Sequence, residues 1–515
     1  MVFSGKPSTA CHLCREKRRK CDRIKSGCTQ CSRQKIPCPG YRDSSQLRLR
    51  DETGVIAHKV QIAKKKRSCS PSTPSAMLSK RSSSGSPLLD AFESQDNVEN
   101  IFFSPLSLDM LAEPTAITYF MTAFIISSPF EGYLPDLYQT DPLADDAVSS
   151  AIRATSFATF ALRVGDVSYM KTARSNYAIA LAQTNAALAS PKAAMLDRTL
   201  AAILLLGLFE AIIFQGRQSP ESWTAHTLGA LELLRMRGKQ QFQSKLAQHL
   251  FVQTITNIRT SCIQRIVPVP AECLELHNEA MQFLNPDDPA LRIGSIIDRA
   301  ASIRAQAKEN PVPELVYQAR DLDQDVVALM DNLEPEMRYT IQPKEETPAW
   351  AYLGLAYHYP NHRVAKFWSA IRMVRMFVNE LIWRAIELGF GHPHPNQSRD
   401  EAQCDPQCTC RYLEKLGQLA ISNMTEVATG VLASVPDFLE PTDNRGKFCP
   451  SARTLIWPLN ILLTSPVYSG PMRKYAIFML HELARDLNLP QAINAAAFQS
   501  ESEDAEDWLH LYHLA

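Results

Sequence analysis

Six of the chain's thirteen cysteines fall between Cys11 and Cys38, in the order Cys11-x2-Cys14-x6-Cys21-x6-Cys28-x2-Cys31-x6-Cys38. One unit, C-x2-C-x6-C, is written twice with a six-residue loop between the copies. Residues 1–42 are short of apolar side chains, so burial alone cannot fold them. The N-terminus, Met1 to Ser8, lacks the apolar stretch of a secretory signal, and in such a chain dense cysteines read as metal ligands before disulfides. Zinc takes four thiolates in a tetrahedron, so two ions need eight ligand positions where six cysteines stand. Two thiolates must therefore bridge. A single four-cysteine site would leave two thiols unused and would not explain the duplication. A C-x2-C at the start of a short helix presents both thiolates on one side, and six more residues let the chain finish the helix and return.

Between Cys14 and Cys21 run Arg15, Glu16, Lys17, Arg18, Arg19 and Lys20, five cations in six positions. On a short metal-pinned helix that density suits phosphate contact, with one or two side chains reaching base edges in the major groove of double-stranded DNA. The whole chain is formally neutral, yet residues 1–67 hold 18 Lys/Arg against 5 Asp/Glu and the remainder 36 against 49. A basic head precedes an acidic body, and nucleic acid is the partner such a head implies.

The residues from Cys11 to Asp22, then Cys28 to Cys31, then Cys38, Pro39, Gly40 and Tyr41 resemble the fungal Zn(2)-C6 binuclear zinc cluster transcription factors. The resemblance implies two zinc ions on Cys11, Cys14, Cys21, Cys28, Cys31 and Cys38, with Cys11 and Cys28 as the bridging pair. It places the reader of CGG-like triplets on Arg18, where the family usually has lysine, and a phosphate grip on Lys17. Ser26 stands where a proline commonly shapes the loop. Arginine also bonds guanine O6 and N7, so guanine recognition survives the exchange. More loosely, Trp223 to Leu231 with Arg237 and Gly238, and Trp457 to Leu459, are similar to stretches of the family's regulatory region.

Four zones are expected: a cluster domain at 1–42, a basic linker at 43–67, a disordered Ser/Pro-rich linker at 68–100, and an all-helical regulatory domain at 101–515. In the second zone Leu49, Thr53, Ile56, Val60 and Ala63 form a two-heptad seam interrupted by Gly54, so a homodimerising coil and a plain basic linker both stand as readings. In the third, Pro71, Pro74 and Pro87 follow Ser or Thr. From about residue 101 to the end, apolar positions recur every three or four residues, predicting helices throughout, with good examples at Ala116–Ser127, Ala147–Val164, Tyr169–Leu188, Arg198–Phe214, Glu221–Arg237, Arg363–Leu388, Tyr412–Ala433 and Met472–Leu487. The apolar run Leu196–Phe214 has only eleven consecutive uncharged residues, against the roughly 20 of a membrane span, and reads as a buried helix.

Cys404, Cys408 and Cys410 near His392 and His394 read as a surface loop before a second metal site, and His226 as a structural histidine. Phosphate-binding glycine loops and hydrolase motifs are missing, so the chain is not read as an enzyme. Lys64 to Arg67 suits nuclear import. The acidic and aromatic tail from Glu501 to Tyr512 fits either an activation segment contacting the transcription machinery or co-regulators, or a docked helix. The sum is a nuclear, sequence-specific regulator of RNA polymerase II transcription without a membrane partner. The alternatives are a helical ligand-binding or enzymatic domain with an accessory zinc module, and a thiol or zinc sensor.

Overall fold

The computed structural model describes residues 11, 13, 14, 17, 20–22, 28–34, 36, 38, 108–140, 145–214, 221–286, 288–310, 312–388, 409–440 and 446–497, with only the backbone at 108–110, 140, 221–227, 289, 290, 409 and 410. The expected seam at 43–67, the linker at 68–100, the tail from Glu501, and His392, His394, Cys404 and Cys408 lie outside them. The chain divides into two units, Met1–Asn100 and Ile101–Ala515. The first contains helix α1 (Thr29–Arg33).

The second unit is mostly helical: α2 (Leu108–Tyr119), α3 (Ala147–Val164), α4 (Val167–Leu188), α5 (Asp197–Ile213), α6 (Glu221–Arg237), α7 (Lys245–Arg265), α8 (Ala271–Ala280), α9 (Pro289–Glu309), α10 (Pro313–Asp331), α11 (His362–Glu387), α12 (Thr409–Ala433), α13 (Ile456–Thr464), α14 (Gly470–Leu487) and α15 (Pro490–Ala497), with shorter turns between. One apolar core runs through it from Ala112 to Ala496. Among the described residues strand pairing is confined to β1 (Thr340–Ile341) and β2 (Tyr357–His358), antiparallel, with Thr340 opposite His358, and an isolated bridge between Leu439 and Phe448. Among the described residues no helix is long and apolar enough to cross a membrane.

Local signals set the helix ends. Asp146 caps α3 by accepting from the Ser149 N–H at 3.0 Å, and Asp166 caps α4 by accepting from Ser168 at 2.7 Å. Between them Gly165 turns the chain at φ 72°, a left-handed conformation that favours glycine. The helix α5 is buried on all sides from Thr199 to Phe209, as expected for a run that is apolar all round but too short to span a membrane. It packs on α3, α4, α6 and α7, and Phe209 stacks on Tyr177 at 4.5 Å.

The predicted helix Ala116–Ser127 needs correction. The α-helix ends at Tyr119 and continues as a π turn, Phe120–Phe124, closed by Ile125 N–H donating to the Phe120 carbonyl at 3.0 Å. Phe120 and Phe124 at its two ends are both buried and stack at 5.9 Å. The chain leaves through Ser127 at φ 63°.

The later helices are joined by buried polar groups. Asp323 on α10 receives Arg375 Nε at 2.9 Å and Asn379 at 2.8 Å, both from α11, and Asn423 from α12 at 3.2 Å. Arg259 on α7 makes a two-pronged pair with Asp298 on α9 at 2.8 and 2.7 Å. Gly294 makes room for it, since a Cβ there would lie 2.4 Å from the guanidinium.

Candidate metal centre and nucleic-acid interface

In the head, cysteines do the packing that apolar side chains do elsewhere. Cys11, Cys14, Cys28 and Cys31 are buried to 2 % exposure or less, with Leu13, Cys21 and Cys38 packed partly buried around them. Each half begins with a helical turn at its C-x2-C. Leu13 and Cys14 are helical, and Lys17 N–H donates to the Leu13 carbonyl at 3.1 Å. Cys28 is the N-cap of α1, and its carbonyl accepts from Cys31 and Ser32 at 3.1 Å.

Cys28 does not cap that helix with its side chain, because its sulfur points to the other thiols. The cap comes from Asp22 instead, whose carboxylate oxygens accept from the Thr29 N–H at 3.1 and 3.2 Å. An acid at a helix N-terminus satisfies an orphan donor and meets the positive end of the helix dipole. Asp22 follows Cys21, so this bond ties the end of the first half to the start of the second. Ligand spacing alone does not assign this cap; its signal in the sequence is an acid one position after the third cysteine.

The sulfurs form two sets: Cys11, Cys14, Cys21 and Cys28, and Cys11, Cys28, Cys31 and Cys38, all within 4.8 Å of one another in each. Cys11 and Cys28 belong to both. Among the described residues these are the groups of three or more metal-ligating side chains. Sulfur separations are 3.6 Å for Cys11 and Cys28, 3.7 Å for Cys11 and Cys31, and 3.6 Å for Cys14 and Cys28. A Zn–S bond of about 2.3 Å gives a tetrahedron with edges of about 3.8 Å, so the thiols already stand at the spacing of a zinc–thiolate centre. Burial, with help from the neighbouring thiols Cys11 and Cys28, pushes the Cys14 thiol up to about 12, and contact with Cys28 together with burial raises Cys31 further. Thiols so placed keep their protons until a cation displaces them, which makes metal loading a proton-releasing event.

Of the five cations between Cys14 and Cys21, Lys17 and Lys20 are exposed. Arg15, Arg18 and Arg19 lie outside the described residues. Cys410 and His226 fall on α12 and α6 where only the backbone is described.

Residues 9–48 match the fungal Zn(2)-Cys(6) binuclear cluster domain, and residues 115–259 match the fungal specific transcription factor domain. The second match contains the stretch from Trp223 to Gly238 and ends well before Trp457. Neither the curated proteins nor the solved structures yielded a match. The head is thus a cluster domain that binds two zinc ions, and the chain carries the two domains of the fungal binuclear zinc cluster transcription factors.

Proposed function

We propose that this transcription factor reads CGG-like triplets in double-stranded DNA and regulates RNA polymerase II transcription from the nucleus. The observation that carries the reading is the pair of four-sulfur sets sharing Cys11 and Cys28, with five cations standing in sequence between Cys14 and Cys21 of the first set. Cys11, Cys14, Cys21 and Cys28 would hold one ion and Cys11, Cys28, Cys31 and Cys38 the other. With both bound, the zinc ions supply the folding free energy that the head's few apolar residues cannot. The protein's own part is to aim the cations. Arg15, Lys17, Arg19 and Lys20 contact phosphate, and Arg18 donates to guanine O6 and N7.

The zones expected from the sequence complete the proposal: a cluster domain at 1–42, linkers at 43–67 and 68–100, and a helical body from residue 101 that sets output through the transcription machinery or co-regulators. The body holds 34 Lys/Arg against 45 Asp/Glu, an excess of acid that repels phosphate. A single cluster has a small footprint, so two heads on paired triplets give useful specificity, with residues 43–67 joining a homodimer.

Full-length protein and its Arg18→Ala variant, titrated on cognate and scrambled duplexes, test the reading. Arg18→Ala costs roughly 1–3 kcal/mol on the cognate site and flattens discrimination, whereas Lys20→Ala weakens all duplexes alike and reduces the salt slope by about one. Equal losses of Arg18→Ala on both duplexes remove Arg18 as base reader. A full chain that is monomeric and gains nothing from a second triplet replaces the dimer with a single-site binder.

A further inference from the structure

Far along the chain from the zinc cluster, the body brings together a thiol, a hydroxyl and an imidazole in hydrogen-bonded series. Cys449, half-buried, precedes the helical turn Pro450–Leu455. Its Sγ lies 3.0 Å from Ser451 Oγ, and that oxygen lies 2.6 Å from Nδ1 of His362, the first residue of α11. His362 Nε2 in turn lies 3.2 Å from the Asp437 main-chain carbonyl.

That carbonyl sets the direction of the whole series. It can only accept, so Nε2 carries the N–H, and a neutral ring then leaves Nδ1 as an acceptor. The Ser451 hydroxyl therefore donates to Nδ1, and its lone pairs accept the S–H of Cys449. Phe438 stacks on the imidazole at 4.4 Å. Around the series stand charged or titratable groups: the Asp437 carboxyl, bonded to His358 Nδ1 at 2.9 Å, and the buried Arg453 guanidinium on the same helical turn as Ser451. Burial raises the Asp437 carboxyl, and His358 and His362 oppose that rise. Arg453 is held by the Pro450 carbonyl at 2.8 Å and lies over Phe124 at 4.1 Å. A half-buried thiol with a base at two hydrogen bonds' remove has the surroundings of a nucleophilic cysteine.

We infer that Cys449 is a reactive thiol that a small hydroperoxide oxidises, with Ser451 and His362 as its proton relay. The Cys449 proton passes to Ser451 Oγ as the Ser451 proton passes to His362 Nδ1, leaving a thiolate and an imidazolium. A sulfur lone pair attacks one peroxide oxygen. The S–O bond forms, the O–O bond breaks, and the departing hydroxide or alkoxide takes the proton back from His362 through Ser451 to leave as water or the alcohol. Sulfur is oxidised by two electrons to a sulfenic acid and the peroxide is reduced by the same two. The relay serves first as base and then as acid at one place, which an oxygen leaving group requires. Cys262 and Cys273 on α7 and α8 provide the contrast: both are buried, and burial pushes them up to about 11 and about 12.

The test uses full-length, zinc-loaded protein exposed to hydrogen peroxide in the presence of a 1,3-diketone that traps sulfenic acid, with labelling followed peptide by peptide by mass spectrometry. Cys449 is expected to label at least about tenfold faster than Cys262 or Cys273, and Ser451→Ala and His362→Gln to slow it by about tenfold. Ser451→Thr, which keeps the hydroxyl, restores the rate; thermal unfolding identifies which variants are folded. If Ser451→Ala does not fold, His362→Gln decides, because its amide can still reach the Asp437 carbonyl but cannot take a proton. Labelling of wild-type Cys449 no faster than Cys262 and Cys273, or unchanged in a folded Ser451→Ala or His362→Gln, overturns the inference.

Discussion

The two units of this protein solve the same problem with different chemistry. In the head, the buried atoms are thiol sulfurs held 3.6 to 3.7 Å apart, and the start of α1 takes its carboxylate cap from Asp22. In the body, a core from Ala112 to Ala496 is closed by apolar side chains and stitched by buried ion pairs. A segment that cannot bury enough apolar area must take its folding free energy from elsewhere, whereas helices with apolar faces can supply one another's. Solvent conditions that cancel one source should therefore leave the other standing.

Metal removal has the largest expected effect. Structural zinc contributes about 10–16 kcal/mol in small metal-folded domains, so chelation should abolish DNA binding and the head's order together. The body's thermal transition and most of the helical circular dichroism should persist. A body transition that moves with the chelator would break the comparison.

Core substitutions probe the opposite side. Phe209→Ala removes a fully buried ring stacked on Tyr177 and should cost about 3–5 kcal/mol of body stability. Asp323→Ala should cost a similar amount, because it leaves Arg375, 6 % exposed, without its carboxylate. Chemical denaturation measures both, and zinc content per chain should stay at two. Asp22→Ala is smaller and strikes only the head: loss of a helix cap costs roughly 0.5–2 kcal/mol, seen as weaker zinc retention against a competing chelator with the body unchanged.

Acid sharpens the contrast with the smallest of these effects. His277 on α8 is buried and its folded-state pKa is lowered from 6.5, by burial first and by Arg259 second. Between the folded and unfolded values the unfolded chain holds the extra proton, so body stability falls as pH drops below about 6.5 and levels off below the folded value. His277→Gln should flatten that dependence in denaturation curves taken across the window, while the head still releases its metal on acidification as its thiolates reprotonate.

Much of this molecule is readable in one dimension because the forces are local. The six-cysteine spacing, the cations between Cys14 and Cys21, the caps and the apolar period of helices such as Ala147–Val164 and Glu221–Arg237 all act over a few residues, and those two helices keep their expected bounds. The helical pattern from residue 101 onward covers α7, but its period does not show how much of that helix is buried. Gln253, Thr254, Arg259, Thr260, Ser261 and Gln264 sit inside beside Ala247, Phe251, Ile255, Ile258 and Cys262, so the buried face is wider than the apolar period. Two of those polar groups meet partners far along the chain: Arg259 donates to Asp298, 39 residues away, and Gln253 accepts from Tyr133. Chain folding likewise had to bring His362 to Ser451 across 89 residues and to settle which sulfurs stand in both four-thiol sets. Spacing along the chain determined that a metal cluster and a helical body are encoded here. Which distant polar groups share one buried site was decided by packing alone, since a hydrogen bond depends on where two groups meet in space and leaves no period in the sequence.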